Sequence, residues 1–261
     1  MPTHALLGAT GATGSAVLRC YLDSPPKDLT LNIFIRSKSK LLKAFPDLES
    51  TSSIHINITE APLTDTKALQ SCLRGSDIIH MCIATNDARP GNSVSQDGAR
   101  AITDALTGLR TEKQHGYIKP TVIIIRAAPL DPDLGGHMPR LVKRWLWFVL
   151  YHIYSDLEKA SKIYKNAASG LLEYVFVDAP ALFDADGLER TGHRLILDGD
   201  TGEASAGVNY ADLGAAFMEI ADRKDECAGK SVGVSATGAV REEWGTLLWY
   251  QLEGLKGRVW G

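Results

Sequence analysis

The sequence predicts an α/β protein built on a doubly wound parallel sheet. Three observations carry that expectation. Short apolar, β-branched runs alternate with helix-period segments from the first residues to about Pro180. Several runs, including DIIHMCIA (77–84) and TVIIIRAA (121–128), are apolar on both faces, as parallel strands covered on both sides must be. A glycine-punctuated turn, GATGATG (8–14), joins the first strand to the first helix.

The elements follow in order. HALLGA (4–9) leads into a helix through about Leu22. LNIFIR (31–36) precedes a short helix around Lys40–Ala44, and IHINI (54–58) precedes TDTKALQSCLRG. There Thr64 or Asp65 can cap a helix and Gly75 can end it. After the strand at 77–84 comes a loop with Pro90 and Gly91, then a helix over about 95–109. TVIIIRAA and EYVFVDAP (173–180) are further buried strands. Beyond Pro180 the pattern is less regular. HRLILDGDTGEASAGV (193–208) reads as a hairpin, and Asp212 as the cap of a helix through Ala221. With no internal repeat, low-complexity tract or linker, residues 1–261 are expected to form one domain. Residues 181–261 are expected to form mainly its substrate side.

Composition excludes some functions. A net charge of −3 offers no polycationic surface, so nucleic acid is not an expected partner. Cys20, Cys72, Cys82 and Cys227 are scattered without a CxxC pair, so buried thiols are expected rather than a metal site or disulfide framework. MPTH lacks a charged leader with a long apolar run, which points to a cytoplasmic protein. The most apolar stretch, WLWFVLYHIY (145–154), falls short of the roughly 20 residues that span a bilayer. Its basic lead-in RLVKR leaves a membrane-surface helix open, but a buried lid or subunit interface is the preferred reading. A homodimer is left open.

The glycine turn carries the chemistry. Gly8 lets the chain leave the strand sharply, Gly11 lets backbone approach a pyrophosphate, and Gly14 lets helix and strand pack closely. A helix N-terminus then offers N–H groups and a positive dipole end to the anion. A packing turn without ligand is the alternative. The exit of the second strand holds Arg36, Ser37, Lys38, Lys40 and Lys43, with no acid from Leu31 to Pro46. A guanidinium at position 36 suits a ribose 2′-phosphate, so NADPH is expected over NADH. The predicted cofactor-binding set is Gly8, Thr10, Gly11, Ala12, Thr13, Gly14, Arg36, Ser37, Lys40, Leu63, Ala84, Thr85, Asn86 and Lys159.

Placed together, GATGATG, the basic second-strand exit and the helix bearing Lys159 resemble the atypical short-chain dehydrogenase/reductases, particularly the NmrA-like branch. GSDII (75–79), SGLLEYVFVDAP (169–180) and VNYADLGAAFMEIA (208–221) are similar to segments of that branch. ATNDARPG and VSQDGARAI are similar to small oxidoreductases of fungal polyketide gene clusters. The resemblance implies a Rossmann-like fold, a nicotinamide cofactor, a helix with Tyr and Lys beside it, and a variable C-terminal substrate region. Lys159 stands ten residues before Ser169-Gly170, which carries the family's lysine role to it.

YHIYSDLEKASK (151–162) departs from that pattern, because Ser155, not a tyrosine, is four before Lys159. Tyr154 is five before it and diverges by about 140° on a helix. The strand-five serine is also absent, with Arg126, Ala127 and Ala128 in its region. The candidate catalytic residues are Lys159, Tyr154, Ser155 and Tyr151. His152 and Asp156 could form an acid–base pair or a plain exposed i,i+4 pair. Arg126 could polarise a carbonyl or form a salt bridge, and Asn86 could bind ribose or form a turn. Asp178 reads as structural. The aromatic cluster 145–154 suits an aromatic substrate.

The expected function is an NADPH-dependent oxidoreductase acting on a small aromatic or polyketide-like metabolite. Alternatives are a non-redox dehydratase, isomerase or cyclase reusing the pocket, and an NADP(H)-sensing regulatory protein.

Overall fold

Each predicted buried run becomes a strand of one parallel sheet. The computed structural model describes residues 2–51, 54–113, 116–134, 139–184, 186–198, 200, 204–241 and 244–259. Its strands are β1 (Thr3–Leu7), β2 (Thr30–Ile35), β3 (His55–Glu60), β4 (Ile78–Met81), β5 (Thr121–Ala127), β6 (Glu173–Ala179), β7 (Ala181–Phe183), β8 (His193–Ile196), β9 (Gly207–Asn209) and β10 (Ser231–Ala236). The helices are α1 (Ala12–Asp23), α2 (Lys38–Ala44), α3 (Thr66–Leu73), α4 (Val94–Lys113), α5 (Arg140–Val149), α6 (Tyr151–Ala167), α7 (Tyr210–Asp222), α8 (Lys224–Cys227) and α9 (Trp244–Val259). The main sheet runs β3-β2-β1-β4-β5-β6-β10-β8, parallel except for the antiparallel β8. Strand order reverses between β1 and β4, where ligands of such sheets bind beyond the carboxyl ends.

Alternate residues feed two cores. Leu6 of β1 packs with Val17, Tyr21 and Phe217 under α1 and α7. Ala5 and Leu7 face the other way and pack with Leu69, Ile102 and Tyr164 under α3, α4 and α6. Asp65 caps α3 by accepting from the Ala68 N–H, and Gly75 follows at φ +75°. All four cysteines are buried thiols.

Two expectations for the C-terminal third are corrected. Among the described residues of 193–208, the two strands of the expected hairpin do not pair with each other, and its turn at 199–203 lies largely outside the described residues. β8 pairs with β10, and β9 pairs with β7 in a separate two-stranded sheet. Alternating polarity marks a strand but not its partner, and here better partners come from 231–236 and 181–183. Asp212 does not cap α7, which starts at Tyr210. Its buried carboxylate instead accepts from the N–H groups of Thr191 and Gly192 and from the Thr191 hydroxyl, tying the loop before β8 to α7.

Beneath the first helix lies a buried polar cluster. The Tyr21 hydroxyl is 2.6 Å from His4 Nδ1 and 2.6 Å from His80 Nε2, so it donates to one ring and accepts from the other. Burial, against the pull of Asp77, lowers the His4 pKa to about 4, and burial holds His80 well below its usual range. Both rings are therefore neutral in the folded chain and protonate near pH 6.5 when it unfolds. Folding stability is complete above that pH and falls as pH drops through the window toward 4. The expected slope is about 1.4 kcal/mol per pH unit for each histidine. Urea unfolding at pH 7, 6 and 5 checks this, and equal stability at all three would contradict it.

Candidate dinucleotide site

The glycine turn sits against the exits of β2 and β4. Gly8 has φ +89°, and a Cβ there would lie 2.9 Å from the Cys82 carbonyl. A Cβ on Gly14 would lie 2.1 Å from the Gly8 oxygen, so only glycine allows this helix–strand approach. Gly11 differs. It is the exposed N-cap of α1, in ordinary extended backbone, and a Cβ there would meet nothing closer than the Gly8 oxygen at 3.5 Å. Backbone bonds run from Gly11 N–H to the Gly8 oxygen and from Ser15 N–H to the Gly11 oxygen. The first-turn N–H groups of Ala12 and Thr13 have no partner within the helix. Tight packing behind and open space in front are what a pyrophosphate requires, so the residues fit a dinucleotide.

The neighbouring expected contacts gather on this edge. Arg36 is exposed one residue beyond β2, with no ion pair among the described residues. The Ser37 hydroxyl caps α2 by accepting from the Lys40 N–H, and Lys40 is exposed. Leu63 is half-buried past β3. Ala84 and Asn86 are exposed past β4, and the Thr85 hydroxyl between them accepts from the Asp87 N–H. One neighbour escaped the sequence reading. Glu60, opposite Ile35 in register, accepts from the Lys38 N–H at 3.0 Å. The acid missing from 31–46 is supplied by the adjacent strand, and Lys38 is itself paired with Glu49 at 2.6 Å. Arg36 and Lys40 are left as the cations of this corner.

The expected catalytic set is not brought together. α6 turns Leu157, Ala160, Ser161 and Tyr164 toward a small recess that Met81, Ser95 and Arg126 also line. Lys159 is exposed, about 160° around the helix from both Leu157 and Ser161. Its side chain leaves α6 on the other side from Ser161 and about 140° from Tyr154. Ser155 is half-buried and Tyr151 exposed, so that stripe faces outward. Tyr154 is buried edge-on against Trp147 at 5.3 Å, and burial raises its pKa. The hydroxyl-bearing residues that line the recess are Ser95, Ser161 and Tyr164, and the Ser161 hydroxyl donates to the Leu157 carbonyl at 2.8 Å. The Tyr164 hydroxyl is buried without a hydrogen-bond partner, and burial raises its pKa, so it keeps its proton.

The remaining candidates resolve as structural contacts. His152 and Asp156 do not pair. The buried Asp156 carboxylate accepts from the Ser95 and Gln96 N–H groups and the Gln96 amide, satisfying the N-terminus of α4. Arg126 is held by Asp178 in a bidentate pair, both bonds 2.6 Å, with Ser231 as a further acceptor and Asp131 at 3.5 Å. Its guanidinium stacks on Phe176 at 4.5 Å. Burial pushes the Asp178 carboxyl up, to about 6, against the pull of Arg126, which leaves it ionised at neutral pH. Arg126 is thus the salt bridge of the two roles open to it. Neither its pairing nor that of Asp156 is visible in sequence spacing, because both partners lie more than fifty residues away.

Strand order, tight turn and open helix end together define a dinucleotide-binding protein of the Rossmann type. The chain belongs to the NAD(P)H-binding family, whose model matches residues 8–224, and it is an oxidoreductase. It is similar to averufin oxidase A of Dothistroma septosporum, 47% identical over 99% of this chain and 92% of that protein. It is also similar to averufin oxidase A of Aspergillus flavus, 44% identical over 99% and 91%. Among solved structures, a short-chain dehydrogenase/reductase of the wide type from Veillonella parvula, in complex with NADP, matches with TM-score 0.66 and 17% identity. That match covers 91% of this chain and 95% of the other, and it supports the fold. Among the described residues no helix is long and apolar enough to cross a membrane.

Proposed function

We propose that this chain binds NADPH in preference to NADH and oxidises or reduces a small aromatic or polyketide-like metabolite. Averufin, from the names of its relatives, is the first compound to test. The observation that carries the reading is the open face of Gly11, together with an exposed Arg36 that makes no ion pair among the described residues. The loop amides would hold the pyrophosphate and Arg36 the 2′-phosphate. When bound, the dinucleotide supplies or accepts a hydride. The chain's own part is to seat it at the β1/β4 edge and to offer a protonated hydroxyl, that of Tyr164, from the recess beside it.

Purified protein given averufin with NADPH or NADP+ is expected to change dinucleotide absorbance in step with product. Product without net dinucleotide change would favour the non-redox alternative, and binding without product a sensing role. In titration calorimetry, Arg36→Ala is expected to weaken NADPH about 10-fold to 100-fold while sparing NADH. Glu60→Gln should tighten NADPH by removing a nearby negative charge. Lys159→Ala should match the parent. Equal parent affinities for NADPH and NADH would overturn the preference.

A further inference from the structure

α5 presents an apolar face outward. Leu141 is 80% exposed, Trp145 47% and Phe148 45%. At about 100° per residue these three share an arc roughly 60° wide. Arg144 and Arg140 border that arc, both exposed, and neither makes an ion pair among the described residues. α5 contains no acidic residue. α9 extends the patch with exposed Leu248, Leu252 and Val259. The two helices are joined where Trp145 Nε1–H donates to Gln251 Oε1 at 2.8 Å and Gly254 packs on the Val149 carbonyl. The Arg258 guanidinium lies 4.1 Å from the Tyr151 ring centre and adds another cation along the border.

We infer that the α5–α9 face is a docking surface for anionic lipid bilayers, with both helices lying in the plane of the interface. An exposed apolar arc with a tryptophan and a border of arginines is the arrangement that seats a helix among headgroups. Charge favours this occupant over a second copy of the chain. A two-fold contact through α5 would set arginines against arginines, with no acid on that helix to neutralise them. Glu253, the acid of the α9 segment, is already engaged by Lys256. α9 rests on the loop after β4, where Gly257 meets the Ala88 carbonyl, and Trp147 reaches the Pro129 carbonyl just past β5. Both helices therefore pack their inner sides over the strand exits and turn the docked face away from them. This surface stands independently of the redox reading.

The test is flotation of the full chain with vesicles of phosphatidylcholine, with and without about one-third phosphatidylserine. The parent should float with the anionic vesicles and lose that binding at high salt. Arg140→Gln with Arg144→Gln should weaken partitioning by on the order of tenfold. Leu141→Ser with Leu248→Ser should do the same, without changing the melting temperature or NADPH affinity. A parent that stays unbound to anionic vesicles overturns the proposal. So does binding that the two double variants leave unchanged. A parent dimer in sedimentation that Leu141→Ser with Leu248→Ser dissociates also overturns it, and shows that a second copy covers the face.

Discussion

Gly11→Val is expected to abolish NADPH binding while leaving the chain folded. Gly11 has φ −86° and ψ 165°, a conformation any residue adopts. The space above it is open, so a valine there displaces nothing in the protein. It would occupy the volume a pyrophosphate needs and block approach to the Ala12 and Thr13 amides. Losing two or more charge-assisted bonds should weaken binding by at least about 100-fold. Gly14→Val is the contrasting variant. Its Cβ would collide with the Gly8 backbone, so it should lower stability itself. Thermal melts with and without NADPH separate the two. If Gly11→Val keeps the parent's melting temperature and is still stabilised by NADPH, the dinucleotide sits elsewhere.

The second large effect is on stability. Asp178→Ala should destabilise the chain by about 3–5 kcal/mol, because it leaves the buried Arg126 guanidinium without its bidentate partner. Ser231 and Asp131 remain beside it and would recover part of that cost. Replacing both, as Arg126→Met with Asp178→Leu, should restore much of the loss, since an apolar pair of similar volume needs no solvation. Urea unfolding of the parent, the single variant and the double variant measures the difference. A loss under about 1 kcal/mol for Asp178→Ala would mean that Arg126 finds water or another acceptor.

Local pattern and local chemistry were enough to set the first six strands of the sheet and its glycine turn. Periodicity, apolarity on both faces and the Gly8–Gly11–Gly14 spacing are properties of neighbours in the chain, and they identify a dinucleotide edge without coordinates. The exposed Arg36 was legible for the same reason. Tertiary structure alone decided the rest. Glu60 reaches the α2 start through strand register. Asp156 leaves its helical neighbour His152 for the N-terminus of α4, where unsatisfied N–H groups outbid an exposed ion pair. Arg126 lines the recess but pairs with Asp178, because a buried cation must be neutralised by whatever acid the next strand offers. Lys159 falls on the solvent side of α6, because rotation about that helix is set by packing Ala160 and Tyr164 into the core. Spacing along one helix fixes which residues share a face. Which face meets the sheet is chosen by burial of apolar surface across segments distant in sequence.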